Sequence, residues 1–554
     1  MADLLIRLNK NFQLYTNTKN EKIIAISPEL GDKLLILGQR HTFFIKNKEK
    51  DFIISFGYLR DTNEESISNS LKRILDDFDE NKIAEYKKRL AGQFVLLIKK
   101  GKEIFLFSDF FGSRNIFYSA DKLIISTSFN IIENIIKPSG GDLCFDKILE
   151  YVATRTFYPS WLGRETINRK LKWLMPYEYI KINLQENSMS IKKLSFYINN
   201  NKSKDSKQLA IKLKRRLEDT IKIPEYIEYR VASSITGGID SRLVALIVSG
   251  YFKNPVLRMA YSNDKYDSKI DLRIAEKLAK IIGIPLDVYN YNEDSDYDTY
   301  YIITEGLAPI FNKTITPIIE RANNYKIGFG GSYASELFEP LPYVNAYNFI
   351  DERLKRSKKL INANSLFWET LYSSFHDCMQ EIRSSINLEE NIERDYLRIF
   401  YLYHTARYSS HLVRAFNDYG LQIEPYGSFY VLELALQTDD FLFGSSNRSI
   451  SGEKRIQKIA ITSINESAAR QLAFKEFRPL VPLSIKSLGI YLYGFYKKAL
   501  YSLRSRIMRL NKKKIVVELP NATYISDGFE INLIRKIEEK YGITLSIRDA
   551  YSRK

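Results

Sequence analysis

The chain is poor in the residues that build disulfide frameworks and zinc sites. It has two cysteines, Cys144 and Cys378, in 554 residues. There is no CxxC pair, which excludes a disulfide scaffold and fits a reducing compartment. Its four histidines, His41, His376, His404 and His411, are scattered. His404 and His411 lie seven apart and share a helical face, but neither an HExxH motif nor a cysteine partner accompanies them, so they read as ordinary helix histidines. No uncharged apolar run of about 18 residues occurs, so no membrane span is expected. The first residues lack a basic stretch, an apolar run and a small-residue cleavage site, so no signal peptide is expected. The reading is a soluble cytoplasmic protein.

What is abundant is ordinary globular material. The composition is 45% hydrophobic and 27% charged, with 38 Tyr and 32 Phe. A chain this long exceeds one ordinary core and predicts two or more domains. The net charge of +17 is spread along the sequence rather than gathered into an aromatic-interleaved stripe. Compositional drift therefore explains it better than specific nucleic-acid binding. The exception is Leu488–Leu510, where Leu, Ile, Tyr and Phe interleave with Lys497, Lys498, Arg504, Arg506 and Arg509. Such a helix suits either peripheral contact with an anionic membrane or packing on its own protein, and the second pattern is the commoner.

Periodicity divides the chain. Up to residue 198, short apolar segments recur between glycine and charged turns: Lys33–Leu37, Phe52–Phe56, Phe94–Ile98, Ile104–Phe107 and Leu123–Ser126. This predicts a layered α+β sheet domain with few helices, one of them over Glu64–Phe78 with Ile67, Leu71, Ile74 and Leu75 on one face. The polar stretch Asn199–Lys207 reads as a linker (199–208). Helix and strand then alternate: helix Leu209–Ile221, strand Tyr229–Ile235, helix from Ser241, strand Val256–Tyr261, helix Asp271–Ile282 and strand Leu286–Tyr291. That succession predicts an α/β domain with a parallel sheet over 209–485, mainly helical from Phe349. Residues 486–554 read as a basic C-terminal extension ending in a small strand-and-helix tail, Val516–Asp549.

One loop carries chemistry. The strand Tyr229–Ile235 runs through Thr236-Gly237-Gly238-Ile239-Asp240-Ser241 into a helix. Gly237 and Gly238 permit a tight turn and close approach of an anion. The unpartnered N–H groups of the following helix point at the loop, where the dipole is positive. Thr236 and Ser241 add hydroxyl donors. Asp240 repels a bare phosphate and makes sense where Mg²⁺ bridges it to phosphate oxygens. Arg242 either grips a phosphate or lies on the surface. No GxxxxGK[ST] sequence occurs, and Tyr333 interrupts a GxGxxG reading of Gly328-Phe329-Gly330-Gly331-Ser332-Tyr333.

The loop resembles the SGGxDS pyrophosphate (PP) loop of the asparagine synthetase family, which includes β-lactam synthetases and lasso-peptide cyclases; Thr236 replaces the first Ser. The likeness extends to Tyr261-Ser262 with the helix bearing Ala275 and Ala279. It extends also to Gly330-Gly331-Ser332-Tyr333-Ala334-Ser335-Glu336-Leu337-Phe338, similar to GxGADELFGG. In the first half, Leu90-Ala91-Gly92-Gln93-Phe94 and Asp109–Tyr118 resemble LxGxF…RDxxGxxPLYY of the family's N-terminal-nucleophile glutaminase domain. Thr166-Ile167 and Leu174-Met175-Pro176 resemble the joining segment.

The resemblance implies an ATP pyrophosphatase fold behind a glutaminase-like domain (1–198), with ATP and Mg²⁺ as cofactors. It implies that a carboxylate is activated as an acyl-adenylate and passed to ammonia or an amine. Thr236, Gly237, Gly238, Ile239, Ser241 and Arg242 would hold ATP, Asp240 and Glu336 the metal, and a late lysine the adenylate. Lys475 is the first candidate for that lysine and Lys454 the second. Departures qualify the picture. Ala2 stands where the family has a nucleophilic cysteine, so glutamine hydrolysis is not expected. Ser335 replaces an Asp. Only Gln422–Ser428 echoes ExRxPFLD, without its Arg and Asp, so the carboxylate remains open: a small molecule, a peptide or an envelope glycan. A non-catalytic nucleotide-binding scaffold is the alternative from another class.

Overall fold

The computed structural model describes residues 51–154, 162–290, 324–338, 346–417, 421–438 and 454–471, apart from 62, 63, 65, 120, 122, 138, 204 and 263–265. It also describes the strands 3–7, 21–27, 32–37, 42–46, 515–519, 522–526 and 546–549, and residues 305 and 535. Lys475 and Leu488–Leu510 lie outside these residues.

The first half is built on two six-stranded sheets. Strict alternation along the strands creates two buried faces. Phe52, Ile54, Phe56, Val95, Leu97, Ile104, Leu106, Ile180 and Ile182 meet Ile6, Tyr118 and Ile125 of the other sheet in one cluster. Their sequence neighbours Ile53, Leu96, Ile98, Phe105 and Phe107 belong instead to the cluster that takes in the helices. A strand that buries both faces needs apolar residues at both parities, hence runs such as Phe94–Ile98. The expected helix forms over Ile67–Asp76, with Ser66 capping it by accepting the Asn69 N–H and with Ile67, Leu71, Ile74 and Leu75 buried. Ile83–Arg89, Phe129–Ile136 and Phe145–Thr154 are also helical. Helices of only two to three turns present too few repeats for a 3.6-residue period to stand out.

The second half carries a five-stranded parallel sheet. Its order is Leu286–Asn290, Asn254–Tyr261, Arg230–Ser234, Ile327–Phe329, Leu421–Ile423. Strand and helix alternate as the periodicity predicts, through helices Ser206–Ile221, Asp240–Tyr251 and Tyr266–Ile282. The chain fills the sheet outward from Arg230–Ser234 in one direction, then returns to its other side. The switch point lies between Arg230–Ser234 and Ile327–Phe329, where open α/β sheets form their ligand crevice. From Ala346 the described chain is mainly helical. The tail strands Ile515–Leu519, Ala522–Ser526 and Ser546–Asp549 join Ile361–Ala363 in a four-stranded antiparallel sheet.

The polar segment from Asn199 is pinned by its side chains. Asn200 is fully buried, donates to Asp395 Oδ2 at 2.7 Å and the Glu390 carbonyl at 2.8 Å, and accepts the Glu390 N–H at 2.7 Å. Lys202 pairs with Asp395 at 2.9 Å. Polarity here serves a buried bonding network. Among the described residues no helix is long and apolar enough to cross a membrane.

His404 is buried on the helix Glu393–Asn417, with Nδ1 2.7 Å from the Phe400 carbonyl. Burial drives its pKa from the ordinary 6.5 down to about 3. The unfolded chain therefore takes up a proton between those values that the folded chain refuses. This contribution is fully present above pH 6.5 and is lost as pH falls. We expect it to remove about 2 kcal/mol of stability between pH 7 and pH 5. His404→Gln should show that much less acid sensitivity in urea unfolding at the two pH values. Parallel pH dependences would rule the effect out.

Candidate functional site

The strand Arg230–Ser234 lies inside the sheet, paired in parallel on both sides. Ile235 prolongs it by donating to the Arg258 carbonyl at 3.0 Å. The chain then turns through 236–239 and enters the helix Asp240–Tyr251. Three hydrogen bonds close the loop: Thr236 N–H to Ser241 Oγ at 3.1 Å, Thr236 Oγ1 with Ser241 Oγ at 2.9 Å, and Gly238 N–H to Thr236 Oγ1 at 3.2 Å. The Gly237 N–H donates to Asp271, on the helix after the second strand. The hydroxyls of Thr236 and Ser241 thus brace the loop from within. Ile239 is buried and anchors the turn, whereas Thr236 is exposed.

Asp240 is the hub. Its Oδ2 receives Lys454 Nζ at 2.6 Å and Ser335 Oγ at 3.0 Å, and its Oδ1 receives Gln457 Nε2 at 2.9 Å. Lys454 also reaches Ser335 Oγ at 3.1 Å. Tyr426 OH lies 3.4 Å from the Asp240 carbonyl and 3.2 Å from Gln457 Nε2. The ion pair is largely buried, with side chains 7% exposed for Lys454 and 18% for Asp240. Asp240 opens its helix, where the dipole favours a carboxylate.

The sequence-predicted residues fare differently. Thr236 through Ser241 come together with Ser335. Glu336 is on the same short helix, Ala334–Phe338, one residue beyond the Ser335 that bonds Asp240. Arg242 neither lies on the surface nor faces the open side of the loop. It is fully buried, and its guanidinium donates to the carbonyls of Ala468 (3.0 Å), Gln471 (3.1 Å) and Gly237 (3.1 Å). It fastens the loop to the helix Glu466–Arg470. Lys454, the second-choice lysine, stands at the hub. Gln457 and Tyr426 escaped the sequence reading. Gln457 follows Lys454 by three residues, the spacing that shares a helix face, and Tyr426 lies within the Gln422–Ser428 echo.

The donor set tests the fit of magnesium. A resident Mg²⁺ takes carboxylate and other oxygen ligands. Here both Asp240 oxygens are occupied by an ammonium, an amide N–H and a hydroxyl, and a serine replaces the second carboxylate. This arrangement does not fit a protein-held divalent ion, and among the described residues no group of three potential ligands gathers elsewhere. It does fit an anion, with an ammonium and a helix N-terminus beside a glycine loop whose Thr236 is exposed.

The second wall is the segment after Ile327–Phe329. A Cβ at Gly330 would overlap the Glu424 carboxylate, and one at Gly331 would come within 2.9 Å of the Ser241 backbone nitrogen. Glu424 is buried, which pushes its pKa up against the opposing bonds from Gln422 and Ser332. Its carboxylate accepts the Ser332 N–H and Gln422 Nε2, both at 2.9 Å. Arg258, whose pKa is lowered by burial, completes the layer beneath by donating to Gln422 Oε1 at 2.7 Å.

No protein-family model matches the chain, and no curated protein matches it. Solved structures similar to it include an NMN synthetase from Francisella tularensis, 17% identical, covering 28% of this chain and 71% of that one at a TM-score of 0.17. Others are a glutamine phosphoribosylpyrophosphate amidotransferase from B. subtilis complexed with ADP and GMP (11% identical, 54% and 61%, TM-score 0.19) and a U34-tRNA thiolase from Methanococcus maripaludis with its [4Fe-4S] cluster (15% identical, 48% and 79%, TM-score 0.19). At these TM-scores the likeness carries no functional argument. The functional reading rests on the site.

Gly331→Ala should cost about 1–3 kcal/mol, because the new methyl meets backbone. Gly250→Ala, on the helix Asp240–Tyr251 with nothing near its Cβ position, should be neutral or stabilising by up to about 1 kcal/mol. Denaturant midpoints check the contrast; equal midpoints would mean that the two walls are not in tight contact.

Proposed function

We propose that the chain is an ATP-dependent carbon–nitrogen ligase of the PP-loop kind, joining a carboxylate to ammonia or an amine. The observation that carries this reading is the hydroxyl-braced loop 236–241 at the sheet's switch point, with the Lys454 ammonium held beside it by Asp240. In this reading ATP lies across the carboxyl ends of the strands, and the loop binds its β- and γ-phosphates. The substrate carboxylate attacks the α-phosphorus, the bond from that phosphorus to the bridging oxygen breaks, and pyrophosphate leaves. An acyl-adenylate results, and the amine displaces AMP to give the amide. Lys454 neutralises charge on the departing pyrophosphate, while the loop and helix N-terminus position it. No step is assigned to a resident magnesium ion. The first half, with Ala2 in the resembled nucleophile's place, takes no part in releasing ammonia from glutamine. Cys378 offers no substitute, because burial pushes its thiol up to about 12.

The same hub supports a second reading. The Asp240 carboxylate already accepts three hydrogen bonds from protein groups, which suits a chain that binds nucleotide without turning it over. Incubation with ATP and radiolabelled pyrophosphate, supplying aspartate and then cell-extract fractions as carboxylates, separates the two. Under the ligase reading, label enters ATP only with a particular carboxylate, and Asp240→Ala lowers the exchange at least ~100-fold, as for loss of one strong electrostatic contact. Lys454→Ala should lower it similarly, and Lys475→Ala measures whether the first-choice lysine shares that role. ATP binding without exchange in any fraction would leave the scaffold reading standing; absence of both would end the nucleotide reading.

A further inference from the structure

Gln93 belongs to the first half, in the turn between the strands Leu90–Ala91 and Phe94–Lys100, yet its side chain is spent on the second half. It is fully buried. Its carboxamide makes a two-point pairing with one backbone residue: Nε2 donates to the Glu424 carbonyl at 3.0 Å, and Oε1 accepts the Glu424 N–H at 2.9 Å. Glu424 directly follows Leu421–Ile423, the last strand of the parallel sheet, so the amide acts as one residue of a neighbouring strand. Gln93 is itself rigidly presented. Gly57 packs against its carbonyl so closely that a Cβ there would overlap it, and Gly92, at φ +122°, packs against the Tyr58 carbonyl in the same way.

From Glu424 the contacts run without slack to the loop. Its carboxylate holds the Ser332 N–H and presses on Gly330. Gly331 presses on the first turn of the helix that carries Asp240 and Ser241. Ser335 then bonds Asp240 itself. Two glycines and a hydrogen-bonded carboxylate transmit position because none of them leaves room to adjust.

We propose that Gln93 is a positioning residue of the nucleotide site: through Glu424 it fixes the segment 330–332 against the loop 236–241. The inference rests on the nucleotide reading for its functional consequence. It gives the first half a role unrelated to glutamine, as a built-in brace for the loop of the second.

The test compares the full-length chain with Gln93→Met, which keeps the length and loses both hydrogen bonds, and with the milder Gln93→Asn, too short to pair at both points. Ser357→Ala is the control. It removes another buried hydrogen bond between the halves, Ser357 Oγ to the Ala153 carbonyl at 2.6 Å, which is not among the contacts that run from Gln93 to the loop. Two readouts are taken: ATP affinity by calorimetry, and amide hydrogen exchange of peptides spanning 236–241 and 330–335 without nucleotide. We expect Gln93→Met to weaken ATP binding tenfold or more and to speed exchange in both peptides. Gln93→Asn should do so less, and Ser357→Ala should change neither measurement. Should Gln93→Met not fold, Gln93→Asn carries the comparison. Unchanged exchange in the Gln93 variants, or an equal rise in Ser357→Ala, overturns the proposal. If the wild type binds no ATP while the exchange pattern holds, the brace stands and the nucleotide reading falls.

Discussion

Everything at the site depends on one close approach, that of the Gly330–Gly331 backbone into the gap between the Glu424 carboxylate and the first turn of the helix Asp240–Tyr251. Two parallel strands with their connections diverging leave a crevice, and only residues without side chains let its walls touch. That contact lets Ser335 reach Asp240, lets Lys454 close over both, and fixes where the exposed face of the loop points. A larger residue at either glycine separates walls whose geometry is the site.

The charge arrangement follows. A lone carboxylate at a helix start, with a serine where a second would sit, attracts an ammonium, and Lys454 supplies it in nearly buried form. Such a pair is weak evidence for stability, since desolvation offsets much of the attraction. Its value lies in direction: the cation is held at one point, beside a loop already shaped for anions. Arg242 works in the same spirit from behind, spending a permanently charged fork on three backbone carbonyls to keep the loop from moving.

The sequence made the parallel sheet legible, because alternating buried strands and amphipathic helices of twelve or more residues carry strong periods, and Tyr229–Ile235 ran into a loop with its own chemical logic. The layered sheets of the first half were legible as recurring apolar runs, but the helices between them, Ile83–Arg89 and Phe129–Ile136, were too short to declare a period. At the site, residues adjacent in sequence were found and residues adjacent only in space were not. Gln457 and Tyr426 reach Asp240 from more than 180 residues away, and their only local marks are the spacing from Lys454 and the Gln422–Ser428 echo. The burial of Arg242 was invisible for the same reason, since its three acceptors are backbone carbonyls, which have no sequence signature. The polar run at Asn199 reads as a linker from its composition alone, and its bonding partners, the buried Asp395 and backbone groups that hold Asn200 and Lys202, lie too far along the chain to show in that composition.

The aromatic packing between the halves bears on how the chain is made. Phe110 stacks edge-on against Phe196 and Phe429, with ring centroids 5.0 Å apart in each case, and lies 5.9 Å from Tyr403. Its partners are thus spread across most of the length still to be translated. At about 5–20 residues per second, the first half emerges from the ribosome tens of seconds before residues 403 and 429 exist to cover that ring. Throughout that interval the ring lacks two of the partners that enclose it in the finished chain.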